Sequence, residues 1–347
     1  MFYSVQFLRG VAALMVVLTH VAHKGQQYGT GALSGFHVGG DGVDLFFIIS
    51  GFIMCVTTHE KRTTLSGFLI NRLKRIIPLY WVLSVAALAV FIVDPKMVNS
   101  SGGETGIIQS FFLIPSGVKF LIQNGWTLSY EFYYYLIFSI FIFFTDARLM
   151  RYLGVSASIL ILAVLGEVVN TTHPFFAFLL SDMLLEFMLG VIAFIALRKY
   201  KPSHTQALVM VLVGVTWLVY KNIFGTPTMP FGKTFTSGVP MFLIFLGLLY
   251  LESWFIKSKG WWVRAFEQLG NSSYSLYLIH PFILSPAALI LKKLGLMNPA
   301  IFTATLVLGS IIAGFATYFF IEKPLSHLTR NIGSGFTAKS ASSNTPG

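Results

Sequence analysis

Charge is scarce in this sequence. Asp, Glu, Lys and Arg together make up 11 % of its 347 residues, against roughly 25 % in a soluble domain. Hydrophobic residues make up 55 %, more than one protein interior of this size can enclose, so the excess must face lipid. A water-soluble globule and a disordered chain are both excluded. Acidic residues are the scarcer sign, 13 against 24 Lys and Arg, for a net charge of +11. A basic balance can mark a nucleic-acid binder, but membrane proteins keep Lys and Arg in cytoplasmic loops, and no nucleic acid is needed to explain it. A single cysteine, Cys55, excludes an internal disulfide framework and a cysteine-rich zinc site. No metal is expected, and no internal repeat of fixed period is present.

What is there is apolar runs of spanning length. A helix needs about 20 mostly apolar residues to cross a bilayer core of about 30 Å. Ten such runs lie near 3–22, 42–58, 76–94, 126–145, 152–169, 182–198, 205–221, 238–252, 272–291 and 299–321. The fold class they predict is all-α, a polytopic integral membrane bundle. Phe111–Ile114 is too short to span and reads as interfacial or re-entrant. With the amino terminus inside, the inner segments carry 16 Lys and Arg and the outer loops 7, which places both termini in the cytoplasm. The first run has no basic cluster before it and no small-residue cleavage site before Lys24, so it is expected to be retained as a span. Residues 1–330 then form one membrane domain, and 331–347, rich in Ser, Gly, Thr and Ala, a disordered cytoplasmic tail.

Ionisable groups inside a span cost several kcal/mol and require a partner, a wet cavity or a function. They are Arg9 and His20 on the first span, Asp44 on the second, Glu131 on the fourth, Asp182 and Glu186 on the sixth and His280 on the ninth. Arg9 and His20 are eleven residues apart, which brings them within about 20° of one helix face and about 16–17 Å apart along the axis. They read as two points on one cavity wall, Arg9 in the inner half and His20 in the outer. The structural alternative is an Arg reaching lipid phosphates and a His bonded to a neighbouring hydroxyl.

Asp44 enters the membrane near the depth of His20. A carboxylate bonded to one imidazole nitrogen fixes the tautomer and raises the basicity of the other, as a general base requires. Asp41 or Asp44 could instead cap a helix start. Glu131, in Trp126-Thr-Leu-Ser-Tyr-Glu131, reads as level with His20 and Asp44, which would gather three titratable groups in one outer pocket. Arg72 and Arg75 stand three apart on one helical face at the inner mouth, where planar guanidinium groups suit bidentate phosphate contacts; basic residues beside a span are also routine. Asp182 and Glu186, four apart, need a cation or a proton to relieve their repulsion. Pro281 should free a carbonyl near His280.

Taken as an ordered set, several motifs resemble the membrane acyltransferase family 3 over nearly the whole chain. They are Arg9 and His20 at their spacing, Gly-Val-Asp-Leu-Phe-Phe-Ile-Ile-Ser-Gly-Phe (42–52), Arg72-Leu-Lys-Arg75-Ile-Ile-Pro78-Leu-Tyr80, Trp126-Thr-Leu-Ser-Tyr-Glu131, Ser273-Tyr-Ser-Leu-Tyr-Leu-Ile-His280 and Glu322-Lys-Pro324. The opening Val5-Gln-Phe-Leu-Arg9-Gly and the length are most similar to the exopolysaccharide acetyltransferases of that family. The resemblance implies ten spans, acyl-CoA (acetyl-CoA) as donor from the cytoplasm, and O-acetylation of a cell-envelope or exported polysaccharide or lipid-linked oligosaccharide at the inner membrane. It also implies that Arg9 and His20 are essential and that Arg72 and Arg75 lie near the donor's phosphates. Membrane lipid and envelope-assembly proteins are the remaining partners expected. The catalytic set predicted here is His20, Asp44 and Glu131, with Arg9, Arg72 and Arg75 on the cofactor. His20 would act as general base or carry the acyl group itself. A proton-coupled transporter of a lipid or sugar is the competing class, and a scaffold without activity a third.

Overall fold

The structure, a computed structural model, describes residues 2–59, 63–98, 102–145, 147–258 and 260–331. Of the expected tail at 331–347, residues 332–347 lie outside the described residues. The architecture is an all-α membrane bundle, and among the described residues nine helices have the length and hydropathy to cross a bilayer. In chain order the principal helices are α1 (Tyr3–Gln27), α2 (Gly42–His59), α3 (Leu65–Val93), the short α4 (Ile107–Phe112), α5 (Gly125–Phe144) and α6 (Arg148–Val169). They continue with α7 (Leu184–Lys199), α8 (His204–Phe224), α9 (Val239–Tyr250), α10 (Trp261–Asn271), α11 (Ser273–Lys293), α12 (Pro299–Thr317) and α13 (Lys323–Asn331). The run near 238–252 differs from expectation. Thr234–Tyr250 is shorter than the other apolar helices, because it opens on a π turn at Thr234–Gly238 and is followed at once by a separate short helix, Glu252–Lys257.

Lipid exposure sorts these helices. α2 is the most enclosed, whereas α6, α8 and α12 are peripheral and turn side chains such as Val168, Phe224 and Ile312 outward. An apolar exterior of this kind is what a bilayer, as solvent, selects. Without a hydrophobic drive between helices in lipid, close backbone approach must supply the packing. α2 and α7 meet in this way through Gly51 and Gly190, where an added Cβ would lie 2.1 Å from the Phe187 and Ile48 carbonyl oxygens respectively.

Helix ends in this bundle are satisfied by distant groups. α1 has no side-chain cap of its own; Glu252 supplies one, accepting from the backbone N–H of Tyr3 at 2.7 Å and of Ser4 at 2.9 Å. A carboxylate there also faces the positive end of the helix dipole. At the opposite end of α1, the loop before α2 is clamped by α8. Asn222 accepts from His37 N–H and donates to the Gly35 carbonyl, both at 2.8 Å. Beside it Lys221, buried, holds Asp41 at 2.8 Å and donates to Ser237 at 2.6 Å.

The segment read as interfacial forms α4, one short helix docked on α3 and α5. Tyr80 donates to the Ser110 carbonyl at 2.7 Å and Ser129 to the Leu113 carbonyl at 2.8 Å. The chain then re-enters, so that Asn124, just before α5, donates at 2.8 Å to the Tyr277 carbonyl of α11. That carbonyl is the one Pro281 frees, four residues on, by lacking an N–H. The depth at which α5 starts follows from this bond.

Candidate functional site

The two ends of α1 open on two cavities. The first, about 220 Å³, is lined by Arg9, Arg75, Glu131, Tyr135 and Ser50 together with apolar residues such as Val5, Ile49 and Ile53. The second, about 690 Å³, is lined by His20, His23, Lys233, Asn124, Trp126 and Tyr130 among others. Val43 and Tyr277 line both, so the cavities abut at these two side chains. Tyr277 is fixed there by a 2.9 Å bond between its hydroxyl and that of Thr127.

Arg9 and His20 line not the one cavity expected but two that abut. Arg9 and His20 face two cavities that share a wall, and neither is fully exposed. The second helix is held tightly against this face because its first turn is glycine. A Cβ at Gly39 would lie 2.5 Å from the Met15 carbonyl oxygen, and one at Gly42 2.5 Å from that of Ala12. Glycine there lets Val43 and Gly40 reach the cavities.

Glu131 differs from expectation: it is not level with His20 but lies in the Arg9 cavity. Ser50 donates to its Oε1 at 3.0 Å, and Tyr135, one turn further on, donates to the same oxygen. The physical reason is the depth of α5. Its first residues already lie beside Tyr277, so Glu131, about 10 Å further along the helix, falls at the arginines. Arg75 lines this cavity. Arg72 is not among its lining residues; its guanidinium stands 5.7 Å from the centroid of the Phe68 ring, with its buried Nε unbonded. Glu322 joins the same region through a bond from Ser275, at the end of a π turn over Tyr318–Glu322 that the sequence does not announce.

Asp44 also differs. It is fully buried, but the structure does not bring it to His20: its partner is Lys233, 3.0 Å away. Lys233 precedes the π turn that opens the short eighth apolar segment and lines the His20 cavity. Burial disfavours its charge, yet Asp44 and Glu186 outweigh that penalty and hold its pKa above the usual lysine value. Glu186, fully buried on α7, faces Asp44 rather than pairing with Asp182. Lys233 pairs with Asp44, whereas both carboxylate oxygens of Glu186 are buried without a hydrogen-bond partner. The aspartate at 182 is instead near the surface of the bundle, where its backbone carbonyl accepts from Thr234 at 3.1 Å.

His20 has another neighbour. The ring of His280 lies 5.0 Å away, centroid to centroid, and that of His23 6.0 Å. Beyond them the cavity wall is aromatic: Trp126 meets Tyr130 edge-on at 6.0 Å, and Tyr130 lies 4.4 Å from Phe178. Among the described residues no cluster of three or more metal-binding side chains exists. One cavity therefore offers cations and a carboxylate beside an apolar wall, which suits a phosphorylated, partly apolar ligand. The other offers imidazoles and flat rings, with Lys119 and Lys233 also in its wall, which suit proton transfer and the C–H faces of a pyranose.

Comparison with known proteins agrees with the arrangement. The family described as "Acyltransferase domain" (acyltransferase family 3) matches residues 2–319. The exopolysaccharide production protein ExoZ of Rhizobium meliloti is 30 % identical over 321 residues, covering 89 % of this chain and 94 % of that protein. The acyltransferase MdmB of Streptomyces mycarofaciens is 26 % identical, covering 80 % of this chain and 77 % of its own length. The peptidoglycan O-acetyltransferase OatA of Listeria monocytogenes is 25 % identical, covering 93 % of this chain but 55 % of its own length. No solved structure gives a significant match. With a family match over almost the whole described bundle, this chain belongs to the membrane acyltransferase family 3.

Proposed function

We propose that the protein transfers an acetyl group from acetyl-CoA, bound from the cytoplasm, to a hydroxyl of an exported or cell-envelope polysaccharide, or of its lipid-linked precursor. The observation that carries this reading is the meeting of the two cavities at Val43 and Tyr277. A thioester whose phosphates rest at Arg9 and Arg75 needs to extend about 16–17 Å, the Arg9 to His20 rise along α1, to present its carbonyl at His20. The donor then stays on one side while the acceptor enters from the other. The excess of Lys and Arg on the amino-terminal side, 16 against 7, supports the cytoplasm as the donor side. The names of ExoZ and OatA support a polysaccharide acceptor.

In this mechanism Arg9 and Arg75 hold the donor's phosphates by charge-assisted bonds, and Arg72, outside the cavity lining, adds positive potential at its approach. Glu131, fixed by Ser50 and Tyr135, lies in the same cavity as Arg9 and Arg75 and keeps the two guanidinium groups from repelling unscreened. His20 takes the proton of the acceptor hydroxyl as its oxygen attacks the thioester carbonyl. The C–S bond breaks, and the imidazolium returns the proton to the departing thiolate. Asp44 and Lys233 hold the entrance of α2 rather than His20. Trp126 and Tyr130 give the sugar a flat wall at low entropic cost.

The deciding experiment uses purified full-length protein in nanodiscs with [14C]acetyl-CoA and the surface polysaccharide of the source cells, stripped of esters by mild base. Label in the polysaccharide, releasable as acetate by alkali, is expected. Movement of unmodified glycan across proteoliposomes without labelling would instead identify a transporter.

A further inference from the structure

With Asp44 engaged by Lys233, the acyl-transfer reading leaves His20 without an orienting carboxylate. Another imidazole stands in that place. His280 of α11 lies with its ring 5.0 Å from that of His20, centroid to centroid, at an angle of 47°. His20 lines the larger cavity, and His280 is fully buried behind it. Only one nitrogen of His280 is bonded: Nδ1 lies 3.1 Å from the Leu276 carbonyl oxygen. A carbonyl only accepts, so Nδ1 carries the proton, and Nε2 of the neutral ring keeps a bare lone pair. That Nε2 is buried and has no hydrogen-bond partner.

A buried, unbonded acceptor is destabilising unless something donates to it. Here the surrounding helix holds it in place deliberately. Pro281, having no N–H, cannot bond back to the Tyr277 carbonyl, and Asn124 takes that carbonyl instead. His280 thus sits at a fixed point of α11, its ring 5.0 Å from that of His20 and its Nε2 without a hydrogen-bond partner.

We infer that His280 is the positioning residue for His20, a role that rests on the acyl-transfer reading. When substrate binds, one ring N–H of His20 donates to Nε2 of His280, which leaves the other nitrogen of His20 unprotonated and facing the cavity. Contacts of this kind are often loose before substrate arrives and tighten in the complex. The proton of the acceptor hydroxyl then passes to that free nitrogen while the new C–O bond forms and the C–S bond breaks. The same nitrogen gives the proton to the thiolate. His280 remains neutral throughout, and the charge that develops on His20 is shared across the N–H···N bond.

The test compares two variants of the full chain in nanodiscs, with [14C]acetyl-CoA as donor and base-deacetylated surface polysaccharide of the source cells as acceptor. His280→Phe fills the volume without an acceptor atom; His280→Gln returns an amide oxygen near the position of Nε2. The Phe variant is expected to lower kcat about 10–100-fold, the usual effect of losing the group that orients a functional histidine, with KM for acetyl-CoA unchanged. The Gln variant is expected to recover most of the loss. Full activity in the Phe variant, or equal loss in both, overturns the inference and leaves His280 as packing. His20→Ala measured alongside separates the two levels of the argument. If it still transfers acetate, the acyl-transfer role of His20 itself fails. If it is inactive while His280→Phe is fully active, only the positioning role fails.

Discussion

The Arg9 cavity and the His20 cavity abut, yet they handle polarity in opposite ways. Around Arg9 the groups carry full charge and are tied by short side-chain bonds from Ser50, Tyr135 and Ser275 to the carboxylates of Glu131 and Glu322. Around His20 the titratable groups include imidazoles, and Asp41 with Lys221 and Asp44 with Lys233 form ion pairs at the entrance of α2. A charged cavity is suited to gripping phosphates; a larger one lined by imidazoles and aromatic rings is suited to a sugar hydroxyl and a proton in transit. The difference teaches that the charges of the His20 half are buried as ion pairs between distant segments, Asp41 with Lys221 and Asp44 with Lys233. The shared wall at Val43 and Tyr277 is where the two chemistries must meet.

Four substitutions break or sharpen this contrast. The largest effect is expected from His20→Ala, which should lower acetyl transfer to polysaccharide about 10²–10⁴-fold, the usual weight of a general base. CoA affinity, read by calorimetry in detergent, should be unchanged, since the proposed donor cavity is intact. Next, Arg75→Ala should weaken CoA binding about 10–100-fold, as loss of charge-assisted bonds does, while binding of pantetheine, which lacks the nucleotide phosphates, should not move. An equal loss for both ligands would remove the phosphate role of Arg75.

Smaller and different in kind is Asp44→Asn. Breaking a buried ion pair costs about 3–5 kcal/mol, but Lys233 keeps a third of its side chain exposed and Glu186 gains relief. About 1–3 kcal/mol is therefore expected, read as a lower melting temperature in detergent. The double variant Asp44→Asn with Lys233→Met should recover part of it. A rate loss as large as that of His20→Ala, with no change in melting temperature, would return Asp44 to the catalytic set. The smallest effect belongs to Trp126→Ala. Loss of one aromatic wall should raise KM for the polysaccharide by the equivalent of about 0.5–1.5 kcal/mol and leave KM for acetyl-CoA alone.

Much of the bundle is legible in the chain because its signal is local. Apolar runs of spanning length name the helices, and the error falls where the run is interrupted, at Thr234–Tyr250, whose π turn is set by contacts from α2 and α7 rather than by composition. The freed carbonyl near His280 is legible too, because Pro281 removes one specific donor. Its acceptor role is not: Asn124 is 153 residues from Tyr277. Reading Glu131 as level with His20 assumed that α5 begins at the membrane surface. The loop carrying α4 folds inward first and sets α5 deeper. Reading Asp44 as the partner of His20 assumed that equal depth means contact, but Lys233 reaches the same depth from a distant segment and wins the carboxylate by charge.

The sequence by itself determined that this is a membrane-spanning helical protein and that Arg9 and His20 share one face of one helix. Hydropathy and the 3.6-residue period act within a few turns of chain and need no partner. Only the tertiary structure decided which carboxylate meets which cation and that the neighbour of His20 is His280. Those choices depend on how helices far apart in the chain are set in depth and rotation, and in lipid that setting comes from close packing at residues such as Gly51 and Gly190, where no single helix carries the information.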